Sequence, residues 1–313
     1  MIERFGGGKE EPIERVLKSW RWLEHNYEHR AYIGKDPNPE NSLCHQYCHS
    51  YVPGLTIHEF WDNTAFDWTQ KLASKYKAIR KEFLEVTGDM TRLHQEGNNI
   101  WAGALTEDAG SYGVGWKTLV LMDRSRWDPV NVNLFPVTAK AVHEAGVPTV
   151  EVFFASLQPD SNIKPHSDFT NFVLTSHLAL DIPYSGENKC RIRVGDTTRQ
   201  WINGEIMVFD TSLMHDAVNE SDKTRYILMM RVWHPDLYPI ERDALQFIYD
   251  ALDFPDLLST DANLRRMAEE QASASRIFPD IQRSKGRRKG FGDSGGAGTR
   301  KKKATKAKGF GTK

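Results

Sequence analysis

Three residues of this chain have the types and spacing of a metal centre. His166 and Asp168 flank Ser167, and His215 follows 49 residues after His166. Side chains at i and i+2 of an extended segment point the same way, so this imidazole and carboxylate can face one ion from a strand edge. Two histidines and one carboxylate form the facial donor set of non-haem Fe(II) oxygenases, which leaves coordination positions open. Two of these suit the keto-acid end of 2-oxoglutarate, and a third suits O2. Arg225 stands ten residues after His215. Its guanidinium is a bidentate match for the far carboxylate of 2-oxoglutarate. On a strand over 224–233, Arg225, Ile227 and Met229 share one face, which puts a cation into an apolar wall and implies an anionic partner. On the strand after the first two ligands, Val173, Thr175, His177 and Ala179 share a face, and His177 is a candidate for a second contact to a 2-oxoglutarate carboxylate. A single histidine or an isolated His-x-Asp is a weak signal. The ordered set of His-x-Asp, distal His and then Arg carries the reading.

The elements that position these residues change period along the chain. Residues 12–33 read as a helix and 35–42 as a loop. Over 66–86, Trp68, Leu72, Tyr76, Ile79, Phe83 and Val86 recur at steps of three or four and predict one amphipathic helix, with Gly88 at the position of a C-terminal glycine cap. A shorter helix over 137–145 closes at Gly146 and Pro148. From there the segments 149–157, 172–182, 190–194, 198–202, 205–210 and 224–233 read as short strands rich in β-branched and aromatic residues. Turn signals separate them, and Asn203-Gly204 predicts a hairpin. Helices return over 240–252 and 261–275. The expected fold is mainly β with helical flanks, built on a jelly-roll core.

The net charge of −1 conceals an asymmetry. From Arg283 to Lys313 there are twelve Lys or Arg against Asp293 alone, so residues 1–282 carry −12. The tail is too poor in apolar residues to fold and is expected to be disordered. Nucleic-acid binding or nuclear targeting would act through this tail alone. The Lys-Gly-Phe-Gly string at 289–292 and 308–311 has no physical account. Three cysteines give no disulfide framework, and neither a leader nor a membrane span is legible, so a cytoplasmic protein is expected. Cys44, His45, Cys48 and His49 lack the matching second pair of a zinc site and read as helix packing or a loop. Trp116, Trp201 and Trp233 could line a substrate pocket, but aromatics in β-cores are more often packing.

Taken together, several segments resemble the aspartyl/asparaginyl β-hydroxylase family. They are Val52-Pro-Gly-Leu-Thr with Phe60-Trp61-Asp62, Gly115-Trp116-Lys117, Leu134-Phe135-Pro136, Lys164-Pro165-His166 with Asp168, His177-Leu-Ala-Leu180, Cys190-Arg-Ile-Arg193, Trp201-Ile-Asn-Gly-Glu205, Val208-Phe-Asp210 with His215, and Arg225 leading to Val232-Trp-His-Pro235. The resemblance implies a double-stranded β-helix (cupin-like) core. It also implies Fe(II), 2-oxoglutarate and O2, and hydroxylation of an unactivated C–H bond with release of succinate and CO2. It assigns iron to His166 and His215 and 2-oxoglutarate to His177 and Arg225. The animal peptide-hydroxylating branch has glycine at the place of Asp168. The carboxylate here is shared with the bacterial lipid A acyl-chain hydroxylase branch. Thr175 stands where the family usually has an arginine contact to cosubstrate or substrate. The expected organisation is a helical extension over 1–50, an oxygenase domain over 51–237, packed helices over 238–280 and the basic tail over 281–313. The expected substrate is an amino-acid side chain, a peptide or a small metabolite. Two other readings compete: a jelly-roll binding module without turnover, and a nucleic-acid binder driven by the tail.

Overall fold

A computed structural model describes residues 1–35, 39–103 and 109–281. The basic tail and its two Lys-Gly-Phe-Gly strings lie outside the described residues. Fourteen strands are present among those described. They are β1 (His29–Tyr32), β2 (His45–Ser50), β3 (Ala102–Gly103), β4 (Trp116–Asp123), β5 (Arg126–Trp127), β6 (Thr149–Leu157) and β7 (Ser161–His166). The series continues with β8 (Phe169–Thr170), β9 (Val173–Asp181), β10 (Cys190–Val194), β11 (Thr197–Gln200), β12 (Ile206–Phe209), β13 (His215–Asn219) and β14 (Arg225–Trp233). The helices are α1 (Ile2–Gly6), α2 (Glu14–Glu24), α3 (Asp67–Ala73), α4 (Tyr76–Thr87), α5 (Met90–Glu96), α6 (Ala109–Tyr112), α7 (Pro129–Leu134), α8 (Pro136–Ala145), α9 (Pro239–Asp253) and α10 (Ala262–Ser275).

The strands form a seven-stranded sheet in the order β12-β9-β14-β6-β4-β3, with β5 on β4, and a four-stranded sheet in the order β11-β10-β13-β7. Alternation along the central strands divides two cores. Phe153, Ala155 and Leu157 of β6 and Ile227 of β14 join Ile192, Val194 and Ala217 of the smaller sheet in a core between the sheets. Val152, Phe154, Leu228 and Met230 face the other way and meet Leu72, Ile79, Phe83 and Ala139 of the helices. Phe83 and Phe154 approach to 4.8 Å; burying such a ring is worth about 1.5–3 kcal/mol. The fold is thus mainly β with helical flanks. Among the described residues, no helix is long and apolar enough to cross a membrane.

Several local expectations need correction. The helix expected over 12–33 ends at Glu24, because Asn26 adopts a left-handed backbone (φ 53°). The chain then enters β1, which pairs with β2, so the first fifty residues mix helix and strand. The segment Cys44–His49, read as loop or helix packing, is largely β2. The stripe over 66–86 is two helices broken at Ser74-Lys75, where Lys75 N–H donates to Leu72 O. Both keep their apolar side on one core, which is why the periodicity reads as continuous. Gly88 is right-handed (φ −66°) and makes no left-handed cap, whereas Gly146 does (φ 71°). Asn203-Gly204 makes no hairpin: β11 pairs with β10 and β12 with β9, so this turn carries the chain from one sheet to the other. β4 and β7 were not expected at all.

Candidate active site

The smaller sheet brings the two histidines together. β13 and β7 run antiparallel with His215 opposite His166, and the register shifts beside this pair before Ala217 meets Ile163. Pro165, which has no N–H to give the ladder, falls in the shifted stretch. Each imidazole is fixed by its own strand. His166 Nδ1 lies 2.8 Å from Lys164 O, and His215 Nδ1 lies 2.9 Å from Leu213 O. Nδ1–H donation to these carbonyls leaves each Nε2 as a bare lone pair, the form a metal takes. His166 Nε2 is buried with no hydrogen-bond partner among the described residues. Asp168 Oδ1 lies 3.8 Å from His166 Nε2 and 3.9 Å from His215 Nε2. The three donor atoms lie within 4.8 Å of one another. Among the described residues this is the one group of three or more such side chains close enough to hold an ion.

Asp168 is held on every side. Its backbone N–H donates to Thr211 O at 2.8 Å. Tyr112 Oη donates to Oδ1 at 3.3 Å, and Arg231 Nη1 lies 3.3 Å from Oδ2. Burial alone would raise its carboxyl, but Arg231, His215 and His166 outweigh that and hold it well below the usual carboxylate range. Burial, with repulsion from His166, pushes His215 down to about 4. The residue that follows, Phe169, has a left-handed backbone (φ 62°). Its strand β8 pairs with β2 in a third sheet, β1-β2-β8. There Phe169 meets the rings of Tyr47 and His49.

The larger sheet builds a different environment on the same inner core. Arg225 is 1% exposed, and its guanidinium lies over the Trp201 ring at 4.5 Å. Its Nε and Nη1 have no hydrogen-bond acceptor among the described residues. Burial lowers it to about 10. His177 accepts from Trp201 Nε1–H at Nδ1 (3.2 Å), and its Nε2 also lacks a partner. Burial, with the nearby Arg225, holds His177 well below its ordinary value, so it is neutral with its proton on Nε2. Two buried donors therefore share one region without an acceptor, an arrangement that costs free energy unless an anion or acceptor enters.

The family description "Aspartyl/Asparaginyl beta-hydroxylase" matches residues 73–235. The chain belongs to this family. It is 28% identical over 205 residues to the aspartyl/asparaginyl β-hydroxylase of Mus musculus, covering 63% of this chain and 26% of that protein. It is 29% identical over 172 residues to the ornithine lipid ester-linked acyl 2-hydroxylase of Rhizobium tropici, covering 54% of this chain and 58% of that protein. The chain thus spans about a quarter of the animal relative. An oxidoreductase of the 2OG-Fe(II) oxygenase family from Burkholderia pseudomallei superposes with a TM-score of 0.27 at 14% identity, over 37% of this chain and 65% of that one. That likeness is too slight to carry an argument.

Within this β-hydroxylase domain, the structure gathers His166, Asp168 and His215 at one point and Arg225 with His177 at another. Thr175 stands apart from both sets: its hydroxyl engages Thr211 Oγ1 at 3.0 Å. Cys44 and Cys48 lie on the opposite side of β2 from His45 and His49, so these four do not converge. Of the three tryptophans, Trp201 is part of the site, Trp116 packs at a tilt against Tyr112, and Trp233 packs against Phe172 and Tyr249. Sequence reasoning missed Arg231 and Tyr112. Arg231 was legible in principle, since it continues the face that carries Arg225, Ile227 and Met229. Tyr112 comes from a short helix with no sequence signal.

Proposed function

We propose that this chain is an Fe(II)- and 2-oxoglutarate-dependent oxygenase that hydroxylates an unactivated C–H bond of an amino-acid side chain, peptide or small metabolite. The two facing sheets are read as the faces of a double-stranded β-helix. His166, Asp168 and His215 would hold the iron; Arg225 and His177 would hold 2-oxoglutarate. One observation carries the reading: a converging set of metal donors shares an inner core with two buried donors that have no acceptor. The first region fits a cation and the second an anion. Iron bound there supplies the activation of O2, with 2-oxoglutarate oxidised to succinate and CO2.

The residues of the chain do the rest by placement. The carbonyls of Lys164 and Leu213 fix both imidazoles in the ligating tautomer. Arg225 would offer a fork of donors to the far carboxylate, with its guanidinium over the Trp201 ring. Ile227 and Met229 continue the same face of β14 and line the way with apolar atoms, excluding water. Thr175 acts on Thr211 and through it on the backbone of Asp168.

Purified protein with Fe(II), O2 and 2-oxoglutarate is expected to release succinate and CO2 slowly without substrate. Pools of peptides and metabolites, read by mass spectrometry for a gain of one oxygen, would identify the substrate. Absence of 2-oxoglutarate turnover in protein shown to bind Fe(II) at His166 and His215 would defeat the reading.

A further inference from the structure

Arg231 is the last inner-face residue of β14 before the register of β14 against β6 shifts, between Arg231 and Val232. Its partners across the sheet are Glu151 on β6 and Thr175 on β9. The side chain is largely enclosed (17% exposed), and its Nε has no hydrogen-bond partner among the described residues. Its closest charged contact is Asp168 Oδ2, at 3.3 Å. Its Nη2 also approaches Thr170 Oγ1, at 3.4 Å. The carboxylate is therefore divided: Oδ2 faces the guanidinium, and Oδ1 faces both histidines.

We infer that Arg231 is the positioning residue of the metal centre: it holds Oδ2 of Asp168 so that Oδ1 alone is presented with the two imidazoles. This rests on the metal-binding reading above. A carboxylate on a single Cβ can rotate, and a rotated Asp168 would face the ion edge-on or not at all. The guanidinium and the backbone bond to Thr211 O fix it at both ends. The register partners Thr175 and Arg231 both act on Asp168: Thr175 through Thr211, which takes the Asp168 N–H, and Arg231 directly at the carboxylate. Glu151, the register partner of Arg231 on β6, is a second acid near the guanidinium. Burial raises its carboxyl above the ordinary range, and Arg231 offsets only part of that. Asp168 therefore carries the pairing with Arg231, and Glu151 contributes less.

The test is metal binding, not turnover. Co(II) titrations of the apo-protein give an affinity, and the visible bands of bound Co(II) report its ligand arrangement. Arg231→Met is expected to weaken Co(II) by about 10–100-fold, as loss of the partner of a ligating group does, and to shift the bands. Arg231→Lys, which keeps the charge, should restore part of both. If Arg231→Met does not fold, Arg231→Gln carries the same comparison. Glu151→Gln should weaken Co(II) by a smaller factor without shifting the bands. His166→Ala is the control for the site itself. Co(II) affinity within about twofold of wild type and unchanged bands in Arg231→Met, with binding lost in His166→Ala, would overturn the role of Arg231 and leave the site intact. Retained affinity in His166→Ala would overturn the site reading instead.

Discussion

Arg231 and Arg225 occupy the same inner face of β14, six residues or roughly 20 Å apart along the strand. Their electrostatic situations are opposite. Arg231 is paired: Asp168 and Glu151 together keep its proton on well above the ordinary arginine range despite burial. Arg225 is unpaired: burial lowers it to about 10, and the Trp201 ring is its chief neighbour. The metal end of the strand has satisfied its own charges and still offers lone pairs to a cation. The other end has left a cation unsatisfied. A buried charge without a partner costs several kcal/mol, so the second end is the one built to be completed by a ligand that carries negative charge.

The comparison can be broken most severely at Asp168. Asp168→Gly removes the carboxylate and takes from Arg231 its closest charged partner, so Fe(II) affinity measured by competition with a chelator should fall by at least about 100-fold. Near-normal affinity would mean that the two histidines suffice and that the carboxylate serves Arg231 alone. Asp210 tests the cost of unpaired burial from the acidic side. It is buried, its carboxylate takes the Ser212 N–H, and burial raises it to about 6. Its contribution to stability is complete below the unfolded value and is lost as pH rises through about 6. Asp210→Asn should therefore be more stable than wild type at pH 7 by about 3 kcal/mol, and that advantage should vanish near pH 4. A constant difference across this range in thermal unfolding would show that Asp210 is charged without penalty.

Arg225→Met sharpens the contrast between the two arginines. The 2-oxoglutarate requirement should rise about 10- to 150-fold, the worth of a charged hydrogen bond of roughly 1.5–3 kcal/mol. Fe(II) affinity without 2-oxoglutarate should stay within about twofold, and the apo-protein should unfold no earlier than wild type, since an unpaired cation has been removed. Earlier unfolding would show that Arg225 has an internal partner after all. Trp201→Phe keeps the ring and deletes the indole N–H that fixes His177. Its effect should be the smallest, about 0.5–1.5 kcal/mol on 2-oxoglutarate binding, read as a rise in KM with kcat nearly unchanged. A change in kcat alone would place His177 nearer the reacting atoms.

Much of this was legible in the residues. The strands over 149–157 and 190–194 coincide with β6 and β10, because branched and aromatic side chains with turn residues at both ends leave little alternative. The inner face of Arg225, Ile227 and Met229 followed from alternation alone. The convergence of His166, Asp168 and His215 was legible because three chemically distinctive residues are read by type and order, without knowledge of the path between them. β7 was hidden because Ser161–His166 contains a proline, lysine and asparagine; its strand character comes from pairing with β13. The Asn203-Gly204 turn misled because a tight turn specifies a reversal but not which sheet receives the next strand. Arg231 was overlooked because its partners, Glu151 and Asp168, are brought to it by register, and register is a property of the assembled sheet. Thr175 was read through the family's usual arginine, whereas its local role is set by Thr211.

The third sheet has a consequence for how the site changes over evolutionary time. β2 pairs in parallel with β8, and Ser167 Oγ donates to Tyr47 O. Tyr47 and His49 therefore stand beside Phe169, next in the chain to Asp168, and Arg30 lies over the Tyr47 ring. All three come from the first fifty residues, upstream of the stretch that matches the family. The residues packed beside the candidate metal centre and those that form it thus come from separate parts of the chain. Substitutions in the upstream hairpin can reshape the surroundings of Phe169 without touching His166, Asp168 or His215.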